Sequence, residues 1–265
     1  MFWWDSVGRF RFVPAEQASP TVGYRYLTIN FDTDSPLLPD TLDEVSVAGG
    51  TRLGQVAGGE VGVVAGAGYS GDNLFADANG VFGIGHVTWR RPLDGRSSLA
   101  LTLDYNGNRA LLPDVPLPGF AYERRVSERL AYVVGFPRSS LEARLAPRVT
   151  VAAAYEAPLT ADAGVHWQIG PKLALTADYA SFLNGFNLDG EPRTERLFYR
   201  MQRAEVGVRY AEPDFVFKGL SLDVAVVAGY AFDQRFGRSF DVRGLEATFG
   251  LEDVPYAGVV LRGQF

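Results

Sequence analysis

The chain has 265 residues, contains no cysteine and carries a formal net charge of −6 at pH 7. Without cysteine, neither a disulfide framework nor a thiolate metal site can form, and an acidic chain lacks the basic face that nucleic-acid binding requires. No run of about 18 apolar residues is present, so no transmembrane helix is predicted. We expect no metal site and no cofactor.

Residues 1–20 are rich in aromatic side chains, with Phe2, Trp3 and Trp4 at the start. They lack the charged-then-apolar form of a secretory signal, so we expect export with a signal peptide that is not part of this sequence. The segment is predicted to lie in the periplasm. It would serve either as an anchor at the membrane interface or as a plug inside the barrel that follows.

From residue 21 onwards, apolar and polar residues alternate with a period of two, which is typical of β-strands between two different environments. In 99–106, for example, Leu101 and Leu103 share one face, and Thr102 and Asp104 share the other. The sequence predicts about fourteen strands, at 21–31, 41–52, 60–70, 80–91, 98–107, 119–126, 129–136, 139–146, 149–157, 160–169, 172–182, 196–210, 219–232 and 256–265. Twelve is the alternative number, because 41–58 is rich in glycine and 139–146 is short.

Short turns alternate with longer polar stretches along the chain. The short ones are expected on the periplasmic side, and the longer ones, at 32–41, 71–79, 107–118, 184–195 and 233–254, on the extracellular side. An even strand number would place both termini in the periplasm.

Two features favour a membrane barrel over a soluble β-sandwich. Aromatic residues gather at strand ends, where interfacial girdles lie, and the face opposite the apolar one has few long charged side chains. The predicted fold class is therefore all-β, a transmembrane antiparallel up-and-down β-barrel in residues 21–265.

The C-terminal strand ends in an aromatic residue, Phe265. Val259 and Leu261 lie on its side of the strand, and Arg262 and Gln264 lie on the other. This resembles the final strand of bacterial outer-membrane barrels, in which the terminal aromatic is an assembly signal. The resemblance implies the outer membrane of a Gram-negative bacterium, with membrane lipids, lipopolysaccharide and the outer-membrane assembly machinery as partners.

A second likeness covers about the C-terminal 150 residues, through the motifs at 119–130, 135–137, 140–142, 196–200 and 229–236. This part resembles a bacterial outer-membrane barrel family of unknown function. The resemblance supports the architecture and implies no substrate and no catalytic residue.

Charged and polar residues fall on the face that the alternation predicts to line the lumen. They are Asp104, Asp162, His166, Asp178, Arg203, Glu205, Arg209, Asp223 and Arg262. Such residues tune ion selectivity in a water-filled lumen, or close a narrow one with ion pairs, and the sequence leaves both possibilities open.

The two histidines are the only candidates for acid–base catalysis. Asp162 lies about 13 Å along the strand from His166 and cannot orient it directly. The alternation leaves the face of His86 ambiguous. We therefore expect no catalytic residues and no enzymatic activity.

Two loops share a Leu-Leu-Pro-Asp motif, with Leu37 and Leu38 in the first and Leu111 and Leu112 in the second. Exposed apolar loop residues need a burial partner. They are predicted either to pack on one another or on the barrel rim, or to form a lid or gate for apolar solutes.

Together these observations favour a passive pore or diffusion channel for small or hydrophobic solutes. The alternative is a non-conducting barrel that serves as a scaffold or binds a partner protein of unknown identity. An outer-membrane lipid hydrolase is the third hypothesis.

Overall fold

The computed structural model describes residues 2–11, 20–31, 38–212 and 221–264. These residues form sixteen strands: β1 Phe2–Arg11, β2 Thr21–Asn30, β3 Thr41–Val56, β4 Gly59–Gly71, β5 Val81–Pro92, β6 Ser97–Asn106, β7 Leu117–Ser127, β8 Leu130–Phe136, β9 Arg138–Ala146, β10 Val149–Glu156, β11 Thr160–Gln168, β12 Leu173–Phe186, β13 Arg196–Glu212, β14 Ser221–Ser239, β15 Glu246–Gly250 and β16 Val254–Gln264. Within these ranges, no helix is both long and apolar enough to span a membrane.

The strands form one up-and-down sheet that follows the chain. Each strand from β1 to β13 pairs antiparallel with the next, and β13 pairs with β14. β14 pairs with β16 along most of its length and with β15 near its end, and β16 pairs in parallel with β1. The hydrogen-bonded neighbours therefore form a closed ring, which is the pairing pattern of a β-barrel.

All fourteen predicted strands correspond to strands of the structure, and β1 and β15 are additional. β1 corrects the prediction for the N-terminal segment. Residues 2–11 pair with β2 along their whole length, so they form part of the wall and are not a separate anchor or plug. Trp3 and Trp4 occupy opposite faces of this strand, which hides its alternation in the sequence.

The connections between strands define two rims. Most of those at the turn rim are short, as at 57–58, 128–129 and 147–148, whereas most of those at the loop rim are longer, as at 72–80 and 107–116. β1 begins at the loop rim and β16 ends at the turn rim. An even number of strands was predicted to place both termini on one side, and this prediction is wrong. β15 and β16 both pair with β14 and together occupy one place, so the ring has fifteen places.

The strand register separates two faces of the wall. The outer face carries exposed apolar side chains such as Leu101, Val134, Val206, Val226 and Val259. The inner face carries buried apolar side chains on the β1–β3 and β12–β16 side of the ring, and polar or small side chains on the β4–β11 side.

The wall is uneven in height. β12, β13 and β14 contain 14, 17 and 19 residues, whereas β8 to β11 contain only 7 to 9. The tall strands extend at the loop rim. There, the consecutive residues Arg196, Leu197, Phe198 and Tyr199 are all buried. Since neighbouring residues on a strand point to opposite faces, both faces of this hairpin tip are covered, and the tip leans into the mouth of the barrel.

An apolar cluster fills the mouth on one side of this tip. It combines Leu27 and Ile29 of β2, Phe186 of β12, Tyr199 of β13 and Phe236 of β14, with further apolar residues around them. The rings of Tyr199 and Phe236 stack with centroids 4.7 Å apart. Trp3 of β1 packs edge-on against Phe182 of β12 at 4.8 Å, so the cluster joins strands that are not neighbours in the ring.

Replacing Phe236→Ala should destabilise the protein by about 3–5 kcal/mol, because the fully buried ring leaves a cavity. Thermal unfolding in detergent, followed by circular dichroism, measures the effect. Val226→Ala on the same strand is the control, since its outward side chain is 59% exposed. Equal melting temperatures for the two variants would contradict this assignment of the core.

The lumen and its closure as the candidate functional site

A cavity of about 780 Å³ lies against the inner face of β3 to β11. Its lining begins with Asp94, Gly95 and Arg96 in the turn between β5 and β6, at the turn rim. It reaches Arg138, the first residue of β9, at the loop rim. Because the strands of a barrel are tilted, this band of side chains climbs from one rim to the other.

The inner wall of β9 to β11 is exposed although it faces the inside. Ala152, Glu142 and Asp162 are exposed and Ala154 is half-buried, and all four line the cavity. Within the described part of the chain, neither carboxylate forms an ion pair. A carboxylate without a charged partner is stable there only in contact with water, so this sector has the character of a hydrated lumen.

Some of the other charges of the cavity are paired. Arg52 Nε lies 3.1 Å from Glu60 Oε1 on the neighbouring strand. Arg90 pairs with Glu123, which also accepts a hydrogen bond from Ser98 Oγ at 3.2 Å. The lining therefore presents both signs of charge, partly neutralised.

The register places eight of the nine predicted lumen residues, all except Arg262, on one face, the inner one. Several of them pair with each other: Arg209 Nε donates to Asp223 Oδ1 at 2.8 Å, and Arg203 Nε lies 3.9 Å from Glu205 Oε2. Arg262 lies opposite Asp223 in the register, and its side chain is outside the described part. The predicted lumen residues that β13 and β14 carry thus form ion pairs, whereas Asp162 lines the cavity.

Each histidine has an aspartate partner on the following strand. His166 Nε2 lies 3.3 Å from Asp178 Oδ1, on β12. The alternation could not identify Asp178 as the partner of His166, because cross-strand contacts depend on the register.

His86 lies in a constellation that the sequence did not reveal. Its Nδ1 lies 3.0 Å from Asp104 Oδ1, and Thr88 Oγ1 lies 2.6 Å from its Nε2. Arg109 binds the other carboxylate oxygen of Asp104. The register resolves the ambiguous face of His86 as the inner one, since His86 pairs with Asp104 on β6. In the sequence, the feature that could have indicated this constellation is Thr88, which lies two residues after His86 on the same strand.

The loop rim is closed on one side by the tip of the β12–β13 hairpin. Asn184 Nδ2 donates to Glu44 Oε2 on β3, and Asn108 Nδ2 donates to the same oxygen at 3.1 Å. Ser70 Oγ donates to the carbonyl oxygen of Gly185 at 3.2 Å. Contacts from β3, β4 and the 107–116 loop therefore hold the tip across the mouth.

Arg196 is the central residue of this closure. Its guanidinium donates to the carbonyl oxygens of Asn108 at 2.9 Å, Arg109 at 3.1 Å and Gly185 at 3.1 Å. Burial lowers the pKa of Arg196 to about 10, and repulsion from Arg193 acts in the same direction. One buried side chain thus connects three segments of the loop rim.

The predicted gate residues are separated by the structure. Leu38 is buried in the apolar cluster, and Leu37 lies outside the described residues. Leu111 and Leu112 are half-buried in the 107–116 loop. That loop is joined to the 240–245 connection, where the backbone N–H of Val242 donates to the carbonyl of Ala110 at 2.9 Å. The predicted assembly signal, Phe265, also lies outside the described residues.

No family model matches this chain, and no curated protein or solved structure matches it either. The resemblance to an outer-membrane barrel family therefore remains an expectation drawn from the sequence.

Replacing Arg196→Met should loosen the loop rim, because it leaves buried carbonyl oxygens without donors at a cost of roughly 2–4 kcal/mol. Hydrogen exchange of the amides in 107–116 and 187–195 should accelerate at least tenfold. Arg200→Met is the control, since Arg200 lies on the same face of β13 and pairs with Asp233 near the surface. Unchanged exchange rates in the Arg196 variant would contradict the role of Arg196 in holding the segments of the loop rim together.

Proposed function

We propose that the protein is an outer-membrane β-barrel that acts as a passive diffusion channel for small polar solutes. The observation that carries this proposal is the cavity with its exposed inner wall, whose lining reaches from the turn rim to the loop rim. Small inward side chains such as Ala152 and Ala154 leave this sector open, whereas larger ones would fill a barrel of this size.

Membrane insertion is supported by the outer face. Exposed apolar side chains cover it, and aromatic residues such as Trp167, Tyr155 and Tyr210 lie near the strand ends. Strands of about 9–11 residues span the hydrocarbon core, and β9 and β11 have 9 each. We place the barrel in the outer membrane of a Gram-negative bacterium, in contact with membrane lipids and lipopolysaccharide, with Phe265 as its signal to the assembly machinery.

Polar solutes are favoured over hydrophobic ones. The apolar part of the interior is already filled, since Leu27, Ile29, Phe186 and Phe236 are fully buried. A hydrophobic solute would have to displace this cluster. The open sector is lined by charged and hydroxyl groups, which replace the hydration of a polar solute.

Replacing Ala152→Trp should lower the single-channel conductance in a planar bilayer by roughly half or more, because a large inward side chain fills the lumen. Ala153→Trp is the matched control. It adds the same side chain one residue further along β10, on the outer face, and should leave the conductance unchanged.

A purified wild-type protein that inserts into the bilayer without conducting would contradict the channel. That result would support the alternative, a non-conducting scaffold or partner-binding barrel. Equal conductance for the Ala152 and Ala153 variants would instead contradict a solute path that runs along the inner face of β10.

The Thr88–His86–Asp104 constellation favours ester hydrolysis as a second candidate function. A hydroxyl within hydrogen-bond reach of an imidazole that a carboxylate orients is the arrangement of nucleophile, base and orienting group. Thr88 Oγ1 would attack the acyl carbon and pass its proton to His86 Nε2, while Asp104 would stabilise the charged imidazole. As the ester C–O bond breaks, His86 would return that proton to the leaving alcohol. Water, deprotonated by His86, would then hydrolyse the acyl-threonine, which releases the acid and restores the Thr88 hydroxyl.

Hydrolysis of a p-nitrophenyl ester by the detergent-purified protein tests this candidate. Thr88→Ala should lower the rate at least about 100-fold, because the variant lacks the nucleophilic hydroxyl and its hydrogen bond to the general base His86. His166→Ala is the control, since His166 pairs with Asp178 outside the constellation. A wild-type protein without esterase activity would exclude this function.

A further inference from the structure

Basic side chains are concentrated at the turn rim, on three adjacent connections. These are the turns between β5 and β6, β7 and β8, and β9 and β10, which together with the strand ends beside them carry Arg91, Arg96, Arg124, Arg129 and Arg148. All five side chains are exposed. In a chain of net charge −6, this half-ring is a local excess of positive charge.

These arginines form no close ion pairs. Among the residues that the structure describes, no carboxylate lies within 4 Å of the guanidinium of Arg91, Arg96, Arg124, Arg129 or Arg148. The side chain of Arg124 interacts with Tyr122 and Tyr132, and more weakly with the carboxylate of Asp94. At the loop rim, in contrast, Arg235, Arg238 and Arg243 each lie within 4 Å of a carboxylate. The guanidinium groups of the turn rim are therefore available to an external anion.

Their height on the wall indicates what that anion is. Arg91 lies on the outer face of β5, two residues beyond Trp89, or about 7 Å nearer the turn rim. Arg124 lies on the outer face of β7 beside Tyr122 and Tyr132, whose ring centroids are 6.4 Å apart. Aromatic rings on the outer face mark the membrane interface, so guanidinium groups just beyond them lie at the level of lipid phosphates.

The other parts of the half-ring also combine apolar and basic side chains. Leu93 and Leu145 are exposed apolar residues that flank the arginines on the same connections. The turns at 128–129 and 147–148 are too short to carry their arginines far from the apolar wall. Adjacent hairpins are about 10 Å apart, so the half-ring can contact several head groups at once.

We propose that this half-ring, Arg91, Arg96, Arg124, Arg129 and Arg148, is a binding site for the phosphate groups of anionic phospholipids in the adjoining membrane leaflet. Arginine suits this role because its planar fork binds phosphate oxygens in pairs and keeps its charge at the interface. The inference rests on the membrane placement in the proposed function. An acidic soluble protein is disfavoured as the ligand, because Arg91 and Arg124 point sideways from the wall, towards lipid.

The test compares two double variants of equal charge change. Arg91→Gln with Arg124→Gln removes two outward arginines, whereas Arg125→Gln with Arg144→Gln removes two exposed inward ones from the same rim. Native mass spectrometry of the full chain in detergent, titrated with phosphatidylglycerol or phosphatidylcholine, measures lipid binding. Glycerol phosphate and a poly-glutamate peptide are the soluble competitors.

We expect the wild-type protein to prefer phosphatidylglycerol over phosphatidylcholine at least tenfold. The outward variant should bind phosphatidylglycerol roughly 10- to 30-fold more weakly, since each arginine at an anionic surface contributes about 1 kcal/mol. The inward variant should stay within about threefold of the wild type. Neither soluble competitor should displace the lipid at millimolar concentration.

Equal binding of phosphatidylglycerol by the outward variant and the wild type would overturn the proposal, as would equal losses in both variants. Displacement by glycerol phosphate would indicate a site for free phosphate esters, and displacement by poly-glutamate would indicate an acidic protein, so either result also overturns it. Insertion into phosphatidylcholine vesicles, followed by flotation, is measured separately. A protein that inserts but shows no lipid preference refutes this site alone, whereas one that does not insert refutes the membrane placement as well.

Discussion

The structure depends on the closure of its hydrogen-bonded ring. An open strand edge leaves N–H and C=O groups unpaired, and such groups are costly wherever water does not reach them. The pairing of β13 with β14, and of β16 with β1, removes those edges. Closure in turn creates an inside, and the two-residue period of each strand then assigns every side chain to the inner or the outer environment.

The unequal strand lengths explain why one side of this inside is filled and the other open. The extensions of β12 to β14 rise above the short wall of β8 to β11, and their side chains at Leu197, Phe198 and Tyr199 are too apolar to stand in water. Leaning into the mouth buries both faces of the hairpin tip. Arg196 and Asn184 then donate hydrogen bonds to the acceptors that the tip meets, in the 107–116 loop and on β3. The same arrangement of the tip therefore packs the apolar cluster and closes one side of the rim.

The sequence predicted what is local and periodic. Fourteen strands, their faces and the positions of most loops follow from alternation alone, because two environments impose a period of two. It missed β1, where Trp3 points inward and Trp4 is 44% exposed, so that aromatic residues occur on both faces. It placed β15 and the end of β14 in a loop, because Asp233 and the irregular pairing beside it break the alternation there. Side-chain partners on neighbouring strands, such as Asp178 for His166 or Asp104 for His86, depend on a register that the alternation leaves undetermined.

Register also ties the two proposed roles of the wall to each other. Arg124 and Arg125 are adjacent in the chain, and the register places them on opposite faces of β7, with Arg124 on the outer face beside Tyr122 and Arg125 on the inner face. A slip of one residue would exchange them and would turn the outer apolar side chains of β7, such as Phe120 and Tyr122, inward. Gly119 and Ala121 of the inner face would then point outward, where they bury too little surface to hold the strand. A charged inner face and the proposed basic rim can therefore be encoded in one short strand, because the apolar surface that fixes its register is shared by both.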